Sequence, residues 1–148
     1  MGSAGGPEAP LSRDEAIQLV LDHCETPLNH GALKDASVSR FGGNPGCGDE
    51  VTVYLRTGEG DRVEAVGFEA VGCYISRAAA SMATELVKGK TLDEIEAIPP
   101  DAILRVLGRE LAMTRPRCAM LGLNTFRSAV RDLRATRLRQ EAGTGLGS

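Results

Sequence analysis

Two alternating segments joined by one turn constrain this chain more than any other feature. Val51, Val53 and Leu55 alternate with Thr52, Tyr54 and Arg56, the period-two pattern of a strand buried on one face. Thr57-Gly58-Glu59-Gly60-Asp61 supplies the turn, and residues 63–71 return with Val66, Phe68 and Ala70 on one face. Beyond this hairpin the pattern becomes helical. Ile75, Ala79, Met82 and Leu86 recur at helical spacing before Gly89, a suitable stop. Thr91-Leu92-Asp93-Glu94 is a capping box for a short helix that Pro99-Pro100 ends. Asp101 caps another helix through about Arg109, and a proline-containing loop over 114–117 delivers Cys118 to a long final helix. Upstream, Ser12-Arg13-Asp14-Glu15 is a further capping box, and Ile17, Val20, Leu21 and Cys24 form the expected buried stripe of a helix that Pro27 stops. A short strand is expected around 37–41. Strands precede helices without βαβ alternation, so the fold class is α+β.

The length of 148 residues suits one domain with a single core. Residues 1–10 are mostly Gly, Ala, Pro and Ser, residues 141–148 mostly Gly, Ala, Thr and Ser, and the ends 1–10 and 139–148 are expected to stay disordered, leaving residues 11–138 as the domain. A net charge of −3 speaks against nucleic acid, whose binders carry a strong basic excess. Arg127, Arg131, Arg134, Arg137 and Arg139 nevertheless crowd the last helix. That row is either a solvated face or a docking surface for an acidic partner. No apolar run reaches membrane-spanning length and no signal-peptide core is present, so a cytoplasmic location, with thiols kept reduced, is expected. Disulfides are disfavoured there. Cys24 reads as a buried, inert core residue.

The other three cysteines stand in distinct contexts: Cys47-Gly48-Asp49, Gly72-Cys73 and Arg117-Cys118. Three thiols and a carboxylate suit a tetrahedral metal ion or a small iron–sulfur cluster. Cys47 and Asp49 are two apart in a segment entering a strand, so both point to one side, and Gly48 lets the backbone bend between them. The hairpin returns Cys73 to the level of Asp49, because antiparallel pairing sets the end of one strand beside the start of the other. Cys118 lies 45 residues further on. It heads a helix beside Arg115 and Arg117, an environment that favours thiolate, but spacing alone leaves its convergence open. His23 reads as a capping or partly buried structural histidine and His30 as a loop residue. The Gly-rich run 42–46 lacks the Lys-Ser/Thr ending of a phosphate loop.

The stretches Asn44-Pro45-Gly46-Cys47-Gly48-Asp49, Gly72-Cys73-Tyr74-Ile75-Ser76 with Ala78-Ala79-Ala80-Ser81-Met82, and Arg117-Cys118-Ala119-Met120-Leu121 together resemble the IscU/SufU/NifU N-terminal family. Leu21-Asp22-His23 with Pro27, Asn29 and Gly31 adds to the match, which runs in family order from about residue 14 to 135. The resemblance implies a small, roughly three-stranded antiparallel sheet packed by helices, SufE/NifU-like, with a metal or cluster site at one end. Its ligands fall on Cys47, Asp49, Cys73 and Cys118.

The function so implied is a scaffold that takes sulfur from a cysteine desulfurase, builds a transient cluster, [2Fe-2S] by expectation, and passes it to apo iron–sulfur acceptor proteins or carriers. A chaperone or iron donor would assist. Asp49 would be the labile ligand and Cys118, expected to be exposed, the sulfur acceptor. The alternative is a zinc-dependent sulfurtransferase of the SufU type holding Zn²⁺ on the same four residues. Arg117 stands where scaffolds of the IscU type carry histidine, which favours the alternative. The short separation between Cys73 and Cys118, without the insertion common in SufU-type members, favours the scaffold. A purely structural zinc site is disfavoured by the carboxylate.

Overall fold

A computed structural model of the chain describes residues 12–44, 48–99 and 101–147, with side chains except at 44 and 142–147. Cys47, Pro100 and the N-terminal segment 1–10 lie outside the described residues. Strands β1 (Val38–Asn44), β2 (Asp49–Thr57) and β3 (Val63–Val71) form one antiparallel sheet in the order β1-β2-β3. Val53 stands opposite Arg40 on one side and Phe68 on the other, and the ladder shifts register between Arg56 and Thr57. The expected hairpin is present. The first strand is longer than its sequence suggests, because Gly42 and Gly43, poor strand formers, still pair with Val51 and Glu50.

Among the described residues, α2 (Tyr74–Val87) and α6 (Pro116–Gly147) pack on this sheet, and α1 (Arg13–Glu25), α3 (Leu92–Glu96), α4 (Ala102–Leu107) and α5 (Arg109–Ala112) pack around those two. The inner sheet face, Val51, Val53, Leu55, Val66 and Phe68, meets Ala79, Met82 and Ala83 of α2 and Leu123, Phe126 and Val130 of α6 in one core. α2 is buried almost all round because α1, α6 and β3 pack on it. That crowding accounts for the run of small residues 78–81, which lets neighbours approach.

The capping boxes at Ser12 and Thr91 form as expected, each with reciprocal hydrogen bonds to its third helical residue. Three expectations need correction. In α1 the buried residues are Ala16 and Val20, while Ile17 and Leu21 are 38% and 39% exposed. The helix leans on α2 through a stripe narrower than its apolar positions, a tertiary choice that periodicity does not fix. Asp101 makes no capping bond and pairs with Arg105 at 3.3 Å, and the helix it precedes ends at Leu107. Gly108, at φ +96, then starts α5 separately. Finally, the arginine row on α6 is largely engaged within the molecule. Arg134 pairs with Asp93 and Glu96, and Arg137 with Asp61 and Thr57. Arg127 donates to the Glu96 carbonyl.

Candidate metal and cluster site

Asp49, Cys73 and Cys118 come together at one end of the sheet, under the N-termini of α2 and α6. One ligand atom from each lies within 4.8 Å of the others. Asp49 opens β2 and takes the same inward face as Val51, Val53 and Leu55, as the two-residue period of a strand requires. It is buried. Glu50 pairs with Val71, so the chain leaving β3 passes Asp49 and presents Cys73 there. The Cys73 N–H donates to Asp49 Oδ1 at 2.9 Å, and Cys73 Sγ lies 4.0 Å from Oδ2.

Gly72 makes this approach feasible. Its φ of +142° is a conformation L side chains rarely adopt, and a Cβ there would collide with the Asp49 carboxylate. Cys73 is the N-cap of α2. Its sulfur accepts the Ser76 N–H at 3.4 Å, and the Ser76 hydroxyl donates to the Cys73 carbonyl at 3.0 Å. Ser76 is thus a supporting residue that sequence reasoning missed. Its place three residues after an N-cap is the signal that would have found it.

Cys118 comes from far along the chain, 69 residues after Asp49. Pro116 begins α6, where a missing N–H costs nothing, and Cys118 follows in the first turn. Gly122, one turn on, lies against the backbone of Ala80 in α2, and this close crossing sets Cys118 beside the hairpin end. The thiol donates to Asp49 Oδ2 at 2.6 Å. Two expectations fail here. Cys118 is 2% exposed instead of open to solvent. Burial, followed by its hydrogen bonds with Asp49 and Cys73, pushes its pKa up to about 12 instead of favouring thiolate. Arg115 and Arg117 are exposed and make no ion pair among the described residues.

Chemically, the three side chains offer two soft sulfurs and one hard oxygen around a shared proton. A divalent metal suits that donor set and would displace the proton. Cys47 lies outside the described residues, separated from Asp49 by Gly48 alone, which has φ +75°. Cys24 is set apart. It is half-buried, donates to the Tyr74 carbonyl at 3.4 Å, and lines a cavity of about 50 Å³ with His23, Pro27, His30, Phe68, Ala70 and Arg77. It is therefore a residue of a cavity wall, not of the core interior. His23 bonds Ser81 Oγ at 2.7 Å and is structural, as expected; His30 stacks edge-on against Phe68.

The model of the NifU-like N-terminal domain family matches residues 16–140. The chain belongs to that family. It is 38% identical over 113 residues to iron-sulfur cluster assembly scaffold protein IscU 1 of Archaeoglobus fulgidus, covering 76% of this chain and 72% of that protein. The Escherichia coli K12 scaffold protein IscU is 34% identical over 121 residues, covering 80% of this chain and 93% of that one. Among solved structures, a putative SufU scaffold from Fervidobacterium islandicum superposes with a TM-score of 0.63 at 28% identity, covering 76% of this chain and 94% of that one. The N-terminal NifU-like protein of Brucella abortus gives 0.67 at 21% identity, covering 84% and 99%, which supports the fold.

Proposed function

We propose that this member of the NifU-like N-terminal domain family is an iron–sulfur cluster assembly scaffold. The cluster is its cargo, held by Asp49, Cys73 and Cys118 with Cys47 as the fourth ligand. The observation that carries this reading is the convergence of one carboxylate and two thiols from three separate elements within 4.8 Å. Support comes from the cluster assembly scaffold proteins of Archaeoglobus fulgidus and Escherichia coli, which align over most of the chain. Asp49 is a hard donor in a soft set, a choice suited to a cluster that must later leave. Sulfur would come from a cysteine desulfurase, with a chaperone or iron donor assisting, and the cluster, [2Fe-2S] in this reading, would pass to apo-proteins or carriers. The working compartment is the cytosol, where these thiols stay reduced.

Anaerobic reconstitution with a cysteine desulfurase, cysteine and ferrous iron tests the proposal. A visible-absorbing cluster that transfers to an apo-ferredoxin is the expected result. Stoichiometric zinc that iron and sulfide do not replace, with desulfurase stimulation lost on chelation, would refute it. That outcome would establish the zinc-dependent sulfurtransferase, which Arg117 favours because arginine cannot supply the metal-binding nitrogen that histidine would.

A further inference from the structure

Cys118, the sulfur acceptor expected from sequence, is enclosed. It is 2% exposed, sits within the core cluster, and its thiol is bonded to the buried Asp49. Cys73, by contrast, is only half-buried, and its sulfur lies at the start of α2, 4.0 Å from the same Asp49 Oδ2. A protein persulfide is a bulky donor: the attacking sulfur must reach the terminal sulfur in line, with the partner's chain behind it. The half-buried sulfur has access that the enclosed one lacks.

We propose that sulfane sulfur enters at Cys73 and reaches Cys118 by transfer between the two thiols. This assignment rests on the scaffold reading and extends it to the order of events within the site. In the first step the Cys73 sulfur attacks the outer sulfur of the donor persulfide. The donor's S–S bond breaks, a new S–S bond forms on Cys73, and the proton that Cys73 gives up ends on the departing donor thiol. In the second, the Cys118 sulfur attacks the outer sulfur now held on Cys73. The Cys118 proton passes to its acceptor Asp49 Oδ2, and Cys73 leaves as a thiolate that takes this proton back from the same carboxylate, restoring Asp49. Sulfane sulfur moves intact in both steps, so no external oxidant or reductant is consumed. The geometry supports the second step because the ligand atoms of the three residues lie within 4.8 Å of one another. A persulfide adds an S–S bond of about 2 Å to the reach of Cys73.

The full-length protein, free of metal and with its thiols reduced, is mixed with glutathione persulfide and quenched by alkylation at successive times. Peptide mass spectrometry then reads each cysteine. The expected result is label on Cys73 first and on Cys118 later, with Cys118 rising as Cys73 falls. In Cys73→Ser, labelling of Cys118 slows by about tenfold or more, because direct attack then requires local opening of the fold. Serine retains the N-cap of α2, so that variant folds. Label appearing first on Cys118 or Cys47, or on Cys118 at an unchanged rate in Cys73→Ser, overturns the relay. Because this assay builds no cluster, its failure leaves the reconstitution test standing. Conversely, wild-type protein that accepts sulfur in this order but builds no cluster refutes the scaffold reading alone.

Discussion

Gly122→Ala tests whether the crossing of α6 over α2 is what assembles the site. A Cβ at this position would stand 2.7 Å from Ala80 Cα and 3.1 Å from its Cβ. The nearest obstacle is backbone, so no side-chain rotation relieves it. Restoring ordinary carbon–carbon contact requires the helices to part by roughly 1 Å. Two effects oppose each other. Alanine gains about 1 kcal/mol over glycine within a helix, whereas overpacking a tight core contact costs about 1–3 kcal/mol. Crowding wins, for a net loss of up to about 2 kcal/mol. At about 4 °C per kcal/mol for a domain of this size, the melting temperature falls by up to about 8 °C. Cys118 lies one turn from Gly122 and moves with it, stretching the 2.6 Å contact with Asp49. Zinc affinity, used as a probe of site geometry, falls by about tenfold or more. Thermal unfolding with and without zinc, together with competition against a chromophoric chelator, measures both. A melting temperature that rises by the helix gain, with zinc affinity unchanged, would refute the argument.

Asp49→Ala removes the hard ligand, so a reconstituted cluster transfers to an apo-acceptor more slowly; transfer at the wild-type rate counts against Asp49 as the labile ligand. Cys118→Ser abolishes stable cluster assembly while Cys24→Ser, in the separate cavity wall, leaves it intact, and equal loss in both would place Cys24 in the site. Burial lowers the pKa of His23 below its ordinary 6.5, so the neutral ring contributes stability above that pH that is lost as pH falls through the folded-state value. Urea midpoints therefore drop on acidification below about 6.5, and His23→Gln should flatten that slope. Cys118 has the opposite sign: its pKa is raised from 9.0 to about 12, so its contribution in the metal-free protein is present below about 9 and lost as pH rises through 12. Alkaline unfolding curves of Cys118→Ser that keep the full wild-type loss would contradict this.

Local chemistry determined much of this protein. The alternation around Val53 and the turn at 57–61 specified the hairpin, because strand period and turn residues act over a few positions. Antiparallel pairing then placed Cys73 beside Asp49 without reference to the rest of the chain. Capping boxes at Ser12 and Thr91 were equally legible, since each is closed within four residues. The tertiary structure decided what depends on distant surfaces. It turned Ile17 and Leu21 outward, because the face a helix buries depends on the neighbour it meets. It paired Arg134 and Arg137 of the α6 row with Asp61, Asp93 and Glu96 from earlier in the chain. Above all it enclosed Cys118. The helix-start position favours a thiolate, but packing of α6 against α2 removes water and supplies Asp49 as hydrogen-bond acceptor, and desolvation outweighs the helix dipole. A residue's place along the chain determined which chemistry it could offer; the packing of α6 on α2 decided whether solvent and partners could reach it.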